Sequence, residues 1–262
     1  MESAISSILF FLLGIATGTL AGLLGIGGGL LMVPALTLSG VAIDRATATS
    51  LVGVFLSSVS GSFRNWRSDR LNWKASLGLA VGGIPTAQLG AWLGDRLPSL
   101  WLSLSFAALL LVSIYLMGLR RKMQQTETGD RADDEENATP STQPLKAIAI
   151  GLLAGLLAGL FGVGGGVVMV PLQVIVLQVP IKQAVPISLG AIVLISASGL
   201  LRHAYQGNVL WFTGLGIGIG AIVGAQVGTR LLPRLPAKII TLLFRALLLG
   251  LSISMIWRAI GS

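Results

Sequence analysis

The sequence predicts an all-α polytopic membrane protein built from two homologous, inverted repeats, and three observations carry that prediction. Apolar runs of about 20 residues recur from end to end, the length needed to cross a hydrocarbon core. Charged residues make up only 11% of the 262-residue chain, against about 25% in soluble domains, and mean hydropathy is +0.85. A chain so poor in charge cannot dress a water-facing surface of normal size, so the bilayer is its expected solvent. The third observation is an internal repeat.

Residues 21–34 read AGLLGIGGGLLMVP and residues 158–171 read AGLFGVGGGVVMVP. A glycine ladder precedes each: Gly14, Gly18 and Gly22, then Gly151, Gly155 and Gly159. After one extra residue in the second copy the match continues. Ala46, Ser50 and Leu51 correspond to Ala184, Ser188 and Leu189, and Ser60, Gly61 and Arg64 to Ser198, Gly199 and Arg202. Trp73, Gly78, Gly82, Gln88 and Gly90 correspond to Trp211, Gly216, Gly220, Gln226 and Gly228. Matches that include Trp and Gln point to duplication. The organisation read from this is a first transmembrane repeat over 1–119, a polar cytoplasmic linker over 120–145 and a second repeat over 146–262. The linker, rich in charge and small polar residues, reads as a flexible tether.

Apolar segments in the first repeat run over 5–24, 28–40, 46–63, 74–94 and 99–119. The second repeat gives 146–162, 165–179, 183–201, 209–230 and 236–257. The run over 8–13 flows into further apolar sequence, so no cleaved signal peptide is expected. The open point is the first pair of segments in each repeat. Three consecutive glycines disfavour a continuous helix, each by about 1 kcal/mol relative to alanine, and they permit backbone closed to other residues. Irregular backbone at membrane depth survives only where protein or a cavity shelters it, so a break here predicts a re-entrant hairpin. That gives about ten helical segments, a glycine-broken hairpin plus three transmembrane helices per repeat. The alternative is eight spans.

Charge separates the two. With hairpins, Lys and Arg divide about thirteen to four between the two sides, Arg245 being set aside as intramembrane; with single spans they divide about eleven to six. The positive-inside rule prefers the hairpins, with both termini outside and the linker in the cytoplasm. Each repeat then crosses an odd number of times, so the copies lie inverted, a recurrent plan of secondary transporters. The formal charge of +8 follows from these loops, and no nucleic-acid partner is expected.

Chemistry-bearing residues are few. Helices starting after Gly27, Gly28 and Gly29 and after Gly164, Gly165 and Gly166 would present unpaired amides at the break, which suits an oxyanion. Close helix packing is the competing reading for the triplets and the favoured one for the ladders. Ser50 and Ser188 cap a helix or contact an anion, capping being the commoner role. Gln88 and Gln226 lie inside apolar spans, where a carboxamide needs a partner: substrate or another helix. Arg245 snorkels or holds an anion, Arg64 and Arg202 signal topology or attract anions, and His203 reads as a polar loop-edge residue. Asp44 and Asp95 sit at span ends, with no carboxylate deep in any span for a coupling ion. Zero cysteines exclude disulfides and thiolate chemistry, and with one histidine no metal or cofactor is expected. No nucleophile, base and orienting acid can be assembled, which argues against an enzyme.

At the repeated GLLGIGGGLLMVP and GLFGVGGGVVMVP segments, followed by ATATSL at 46–51 and AVPISL at 184–189, the sequence resembles the sulfite exporter TauE/SafE family of membrane permeases. The resemblance implies transport of sulfite, a sulfonate or another organosulfur anion across the cell inner membrane. Pro186 and Ile187 replace Ala48 and Thr49 in the second copy, so the halves need not contribute equally. The expected partners are a small anionic substrate and the lipid bilayer, with homo-oligomerisation open. A passive anion channel and a non-transporting scaffold for sulfur metabolism are the competing functions.

Overall fold

The computed structural model describes residues 2–98 and 144–236, together with parts of 101–111 and 238–250. Residues 120–143 of the linker expected over 120–145 and Arg245 lie outside the described residues, as do most of the segments expected at 99–119 and 236–257. Every regular element among the described residues is helical. The first half contains α1 (Glu2–Leu24), α2 (Gly29–Leu38), α3 (Ile43–Arg67) and α4 (Trp73–Gly94). The second contains α5 (Pro144–Phe161), α6 (Gly166–Val176), α7 (Ile181–Tyr205) and α8 (Trp211–Leu231), the last followed by a 3₁₀ turn over Leu232–Arg234. Four of these elements, α3, α5, α7 and Trp211–Arg234, are long and apolar enough to cross a membrane. Large apolar side chains such as Phe212 (82% exposed) and Leu201 (68%) stand outward, while α3 turns Thr47, Ser50, Ser57 and Ser58 inward. That inside-out distribution is what a lipid solvent demands.

Both halves break where the glycines predict. α1 ends at Leu24, and Gly25, Gly27 and Gly28 take φ of 72°, 79° and 83°. α5 ends at Phe161, and Gly162, Gly164 and Gly165 take 67°, 78° and 77°. Backbone in this left-handed region is strained for any residue with a Cβ. At 10 and 11 residues, α2 and α6 span roughly 15 Å each, half of a hydrocarbon core. Met32, Val33 and Leu36 of α2 cluster with Phe10 and Leu13 of α1, so α2 folds back along the helix that precedes it. The hairpin geometry replaces the single long helix.

The two halves interlock rather than stand side by side. α1 packs along α8 and α5 along α4. Gly14, Gly18 and Gly22 lie against Ile217, Ala221 and Ala225, rising together, so α1 and α8 run in the same sense. Gly151, Gly155 and Gly159 meet Leu79, Gly83 and Ala87 in the same way. The amide of Leu210 donates to Thr49 Oγ1 at 3.0 Å and Ser60 Oγ donates to the Ile222 carbonyl at 2.9 Å, so α3 follows α8 in sense. Gly190 beside Ser76 and Ser198 beside Ile84 make α7 follow α4. α3 and α7 cross in opposite senses, since Gly61 meets Leu189 while Gly199 meets Leu51. Thus α1, α3 and α8 run one way and α4, α5 and α7 the other. These senses gather Arg64, Arg67, Arg70, Lys74, Lys146, Lys182, Arg230 and Arg234 at one end of the molecule, and leave Arg45, Arg96 and Arg202 at the other.

Candidate functional site: the paired glycine breaks

The two breaks meet at the centre of the bundle, level with the midpoints of α3 and α7. A Cβ on Gly27 would stand 3.0 Å from Val54 and 3.3 Å from Ile192, and one on Gly164 2.6 Å and 3.1 Å from the same two side chains. Val54 and Ile192 occupy matched positions, so one pair of apolar side chains sits between the breaks. Gly29 abuts the carbonyl of Gly162, and Gly166 that of Gly25, which leaves no room for a side chain at either.

Serines of α3 hold the carbonyls of both breaks. Ser57 Oγ donates to the Gly27 carbonyl at 2.9 Å, and Ser50 Oγ donates across the halves to the Gly162 carbonyl at 2.9 Å. With these acceptors tied down, amides are the groups left over. Gly28 and Gly165 are the N-caps of α2 and α6, and the first backbone bonds of those helices come from Leu31 and Met32 and from Val168 and Met169. Among the described residues, the amides of Gly27, Gly28 and Gly29 and of Gly164, Gly165 and Gly166 donate no hydrogen bond. Ser58, fully buried, also has no partner for its hydroxyl, which lies 3.6 Å from where a Gly27 Cβ would be. Two helix starts, with free amides and the positive ends of their dipoles, therefore converge beside an unpartnered hydroxyl.

The remaining residues singled out in the sequence hold helices together. Gln226 Nε2 donates to Ser60 O and Oγ at 3.0 and 2.9 Å, clasping α8 to α3. Gln88 Nε2 donates to Ser198 O and Oγ at 2.8 and 3.1 Å, clasping α4 to α7. Ser188 accepts from Gln173 Nε2 at 2.6 Å. Neither Ser50 nor Ser188 caps a helix, because each lies well inside one, in α3 and α7. Arg64 and Arg202 stand near the ends of those helices, and Arg245 is outside the described residues. His203 is buried (2% exposed), with Nε2 3.4 Å from the Gly159 carbonyl and Nδ1 3.9 Å from Asp95, so it is a packed residue and no loop-edge decoration. Replacing Gln226 or Gln88 by Leu is expected to lower stability by about 1–2 kcal/mol each, measured by thermal unfolding in detergent, because a two-pronged interhelical contact is lost.

Sequence reasoning passed over Ser57 and Ser58. Their signal was the run Ser57-Ser58-Val59-Ser60-Gly61-Ser62 in mid-span, where so many hydroxyls are out of place on a lipid-facing surface.

A sequence-family model for the sulfite exporter TauE/SafE matches residues 10–255, nearly the whole chain. The chain belongs to the TauE/SafE family. Relatives of this family member include the probable membrane transporter protein YunE of Bacillus subtilis, 28% identical over 98% of this chain and all of that one. The probable membrane transporter protein MJ0441 of Methanocaldococcus jannaschii is 32% identical over 74% of this chain and 71% of its own length. A probable membrane transporter protein of Xylella fastidiosa is 29% identical over 94% and 93%. No solved structure matches significantly. The TauE/SafE assignment and these relatives make the chain a membrane transporter, of a class distinct from enzymes.

Proposed function

We propose that the protein is a secondary permease that moves a small sulfur-containing anion, such as sulfite or a sulfonate, across the cell inner membrane. The observation that carries this reading is the convergence of the α2 and α6 helix starts, whose free glycine amides suit the oxygens of an oxyanion. Gly27, Gly28 and Gly29 bind from one half, Gly164, Gly165 and Gly166 from the other, and Ser58 adds a hydroxyl. Ser57 and Ser50 position the breaks, while Gln88, Gln226 and Ser188 keep the surrounding helices in register. The opposite senses of the two halves support an inverted pair that rocks around the central site. Val54 and Ile192 close the centre, which favours a carrier caught occluded over an open channel. The end rich in Lys and Arg faces the cytoplasm, together with the linker.

The test is flux of radiolabelled sulfite and a small alkyl sulfonate in proteoliposomes, with and without an imposed potential. Saturable flux is expected, driven from a negative interior by about 2.3 kcal/mol per charge per 100 mV. Ser58→Ala is expected to raise the half-saturating concentration by about tenfold or more, as one hydrogen bond to a charged ligand is lost. Flux that neither saturates nor shows counterflow would make the protein a channel. Absence of flux for every tested sulfur anion would remove the substrate reading and leave the family membership intact.

A further inference from the structure

At the basic end of the molecule, one turn beyond the clasp that joins α8 to α3, a cavity of about 350 Å³ opens. Phe63, Arg64, Arg67, Ser68, Gln226 and Arg230 line it, so α3 with its cap residue Ser68 and the neighbouring α8 bring three arginines to one cavity. Arg67 is held over the Phe63 ring at 5.8 Å, and Arg64 sits in the field of Arg230, Arg70 and Arg67. Among the described residues no carboxylate comes within 4.0 Å of these guanidiniums. Like charges brought together without a counter-charge repel, and an anion in their midst relieves the repulsion. Guanidinium groups also match the paired oxygens of sulfate-like and phosphate-like groups.

The matched positions at the opposite end make the cavity specific. There Arg202 stands for Arg64, but Tyr205 and Trp92 stand for Arg67 and Arg230, and Leu201 for Phe63. Topology signalling calls for basic residues at one end of the bundle, yet it does not require that they converge on a polar cavity. Arg64 is six residues along α3 from Ser58, so the cavity stands about 9 Å of helix rise from the level of that hydroxyl.

We propose that this arginine-lined cavity is a second oxyanion-binding site, which takes a tetrahedral or pyramidal oxyanion at the mouth before it reaches the centre. The same chemistry would accept the phosphate of an anionic lipid headgroup, so the occupant is defined by its oxyanion. Binding at the mouth does not depend on the permease reading, because it is measured without transport.

The experiment is calorimetric titration of inorganic sulfate into the full chain, held in nanodiscs of phosphatidylcholine alone. Arg64→Gln and Arg230→Gln are each expected to weaken binding at least about tenfold, and raising the salt from about 20 mM to about 300 mM is expected to weaken it further. Arg202→Gln, at the other mouth, should bind as wild type does. Both variants remove solvent-reached charges, and unchanged melting temperatures would show that they fold. A second arm uses nanodiscs containing phosphatidylglycerol, with native mass spectrometry to count retained lipid. Loss of sulfate binding there, with phosphatidylglycerol retained by wild type and released by Arg230→Gln, would support the site with a headgroup as its occupant. Sulfate affinity unchanged in both variants, or neither sulfate nor phosphatidylglycerol bound, would overturn the proposal. Failed transport beside intact sulfate binding would count against the permease reading alone.

Discussion

Gly27→Ala is expected to lower anion flux about a hundredfold, while Gly40→Ala leaves it close to wild type. Both positions have positive φ, 79° and 86°, so each substitution meets the same backbone penalty of about 1–2 kcal/mol. They differ in what the new methyl touches. At Gly40 there is nothing within 4 Å, whereas at Gly27 the methyl enters the space bounded by Val54, Ile192 and the free hydroxyl of Ser58. The contacts there, 3.0 Å and 3.3 Å, are tight enough to displace neighbours by tenths of an ångström without collision with backbone. A positioned site tolerates such displacement poorly, because the amides of Gly27, Gly28 and Gly29 must point at a common centre. Melting temperatures of the two variants measure the shared strain, and flux per folded molecule measures the difference. Equal loss of flux in both would reduce the break to a folding device.

How much of this was legible in the sequence depends on whether a residue's partner is local. The glycine breaks were legible, because the strain that requires Gly27, Gly28, Gly164 and Gly165 is a property of the backbone at those positions. The ladders were legible as flat helix faces. What a flat face meets is a tertiary fact: nothing in Gly14, Gly18 and Gly22 says that α8 rather than α5 lies against them. For the same reason Gln88 and Gln226 left substrate and helix as equal partners until Ser198 and Ser60 were found beside them. Ser50 looked like a cap because its residue type favours caps. Besides the Thr47 carbonyl one turn back, its acceptor is the Gly162 carbonyl, 112 positions away in the other half. His203 looked peripheral because it ends an apolar run, and only the packing of α7 on Gly159 buries it.

Gly18→Leu and Gly155→Leu are each expected to leave no folded protein, while Gly78→Ala and Gly216→Ala are neutral or stabilising by up to about 1 kcal/mol. All four lie in helices, so intrinsic propensity favours every one of these changes. Packing decides between them. A Cβ on Gly18 would collide with the Ala221 carbonyl and one on Gly155 with the Gly83 carbonyl, backbone that no rotamer change can move aside. Beyond Gly78 the nearest neighbour is Ala147 Cβ at 3.6 Å, and beyond Gly216 it is Phe10 Cβ at 4.0 Å, ordinary van der Waals separations. In lipid, helices gain little from excluding water and associate through close contact, so separating α1 from α8 forfeits the dispersion and Cα–H···O contacts along the whole ladder. Overpacking a core costs about 1–3 kcal/mol where side chains can adjust; here entire helices would have to part. Because one ladder joins α1 to α8 and the other joins α5 to α4, their loss would undo the interlock that brings the two glycine breaks together. Monodispersity and thermal unfolding in mild detergent provide the measurement. A folded Gly18→Leu protein that retained the clasps of Gln88 and Gln226 would show that the breaks meet without the ladders.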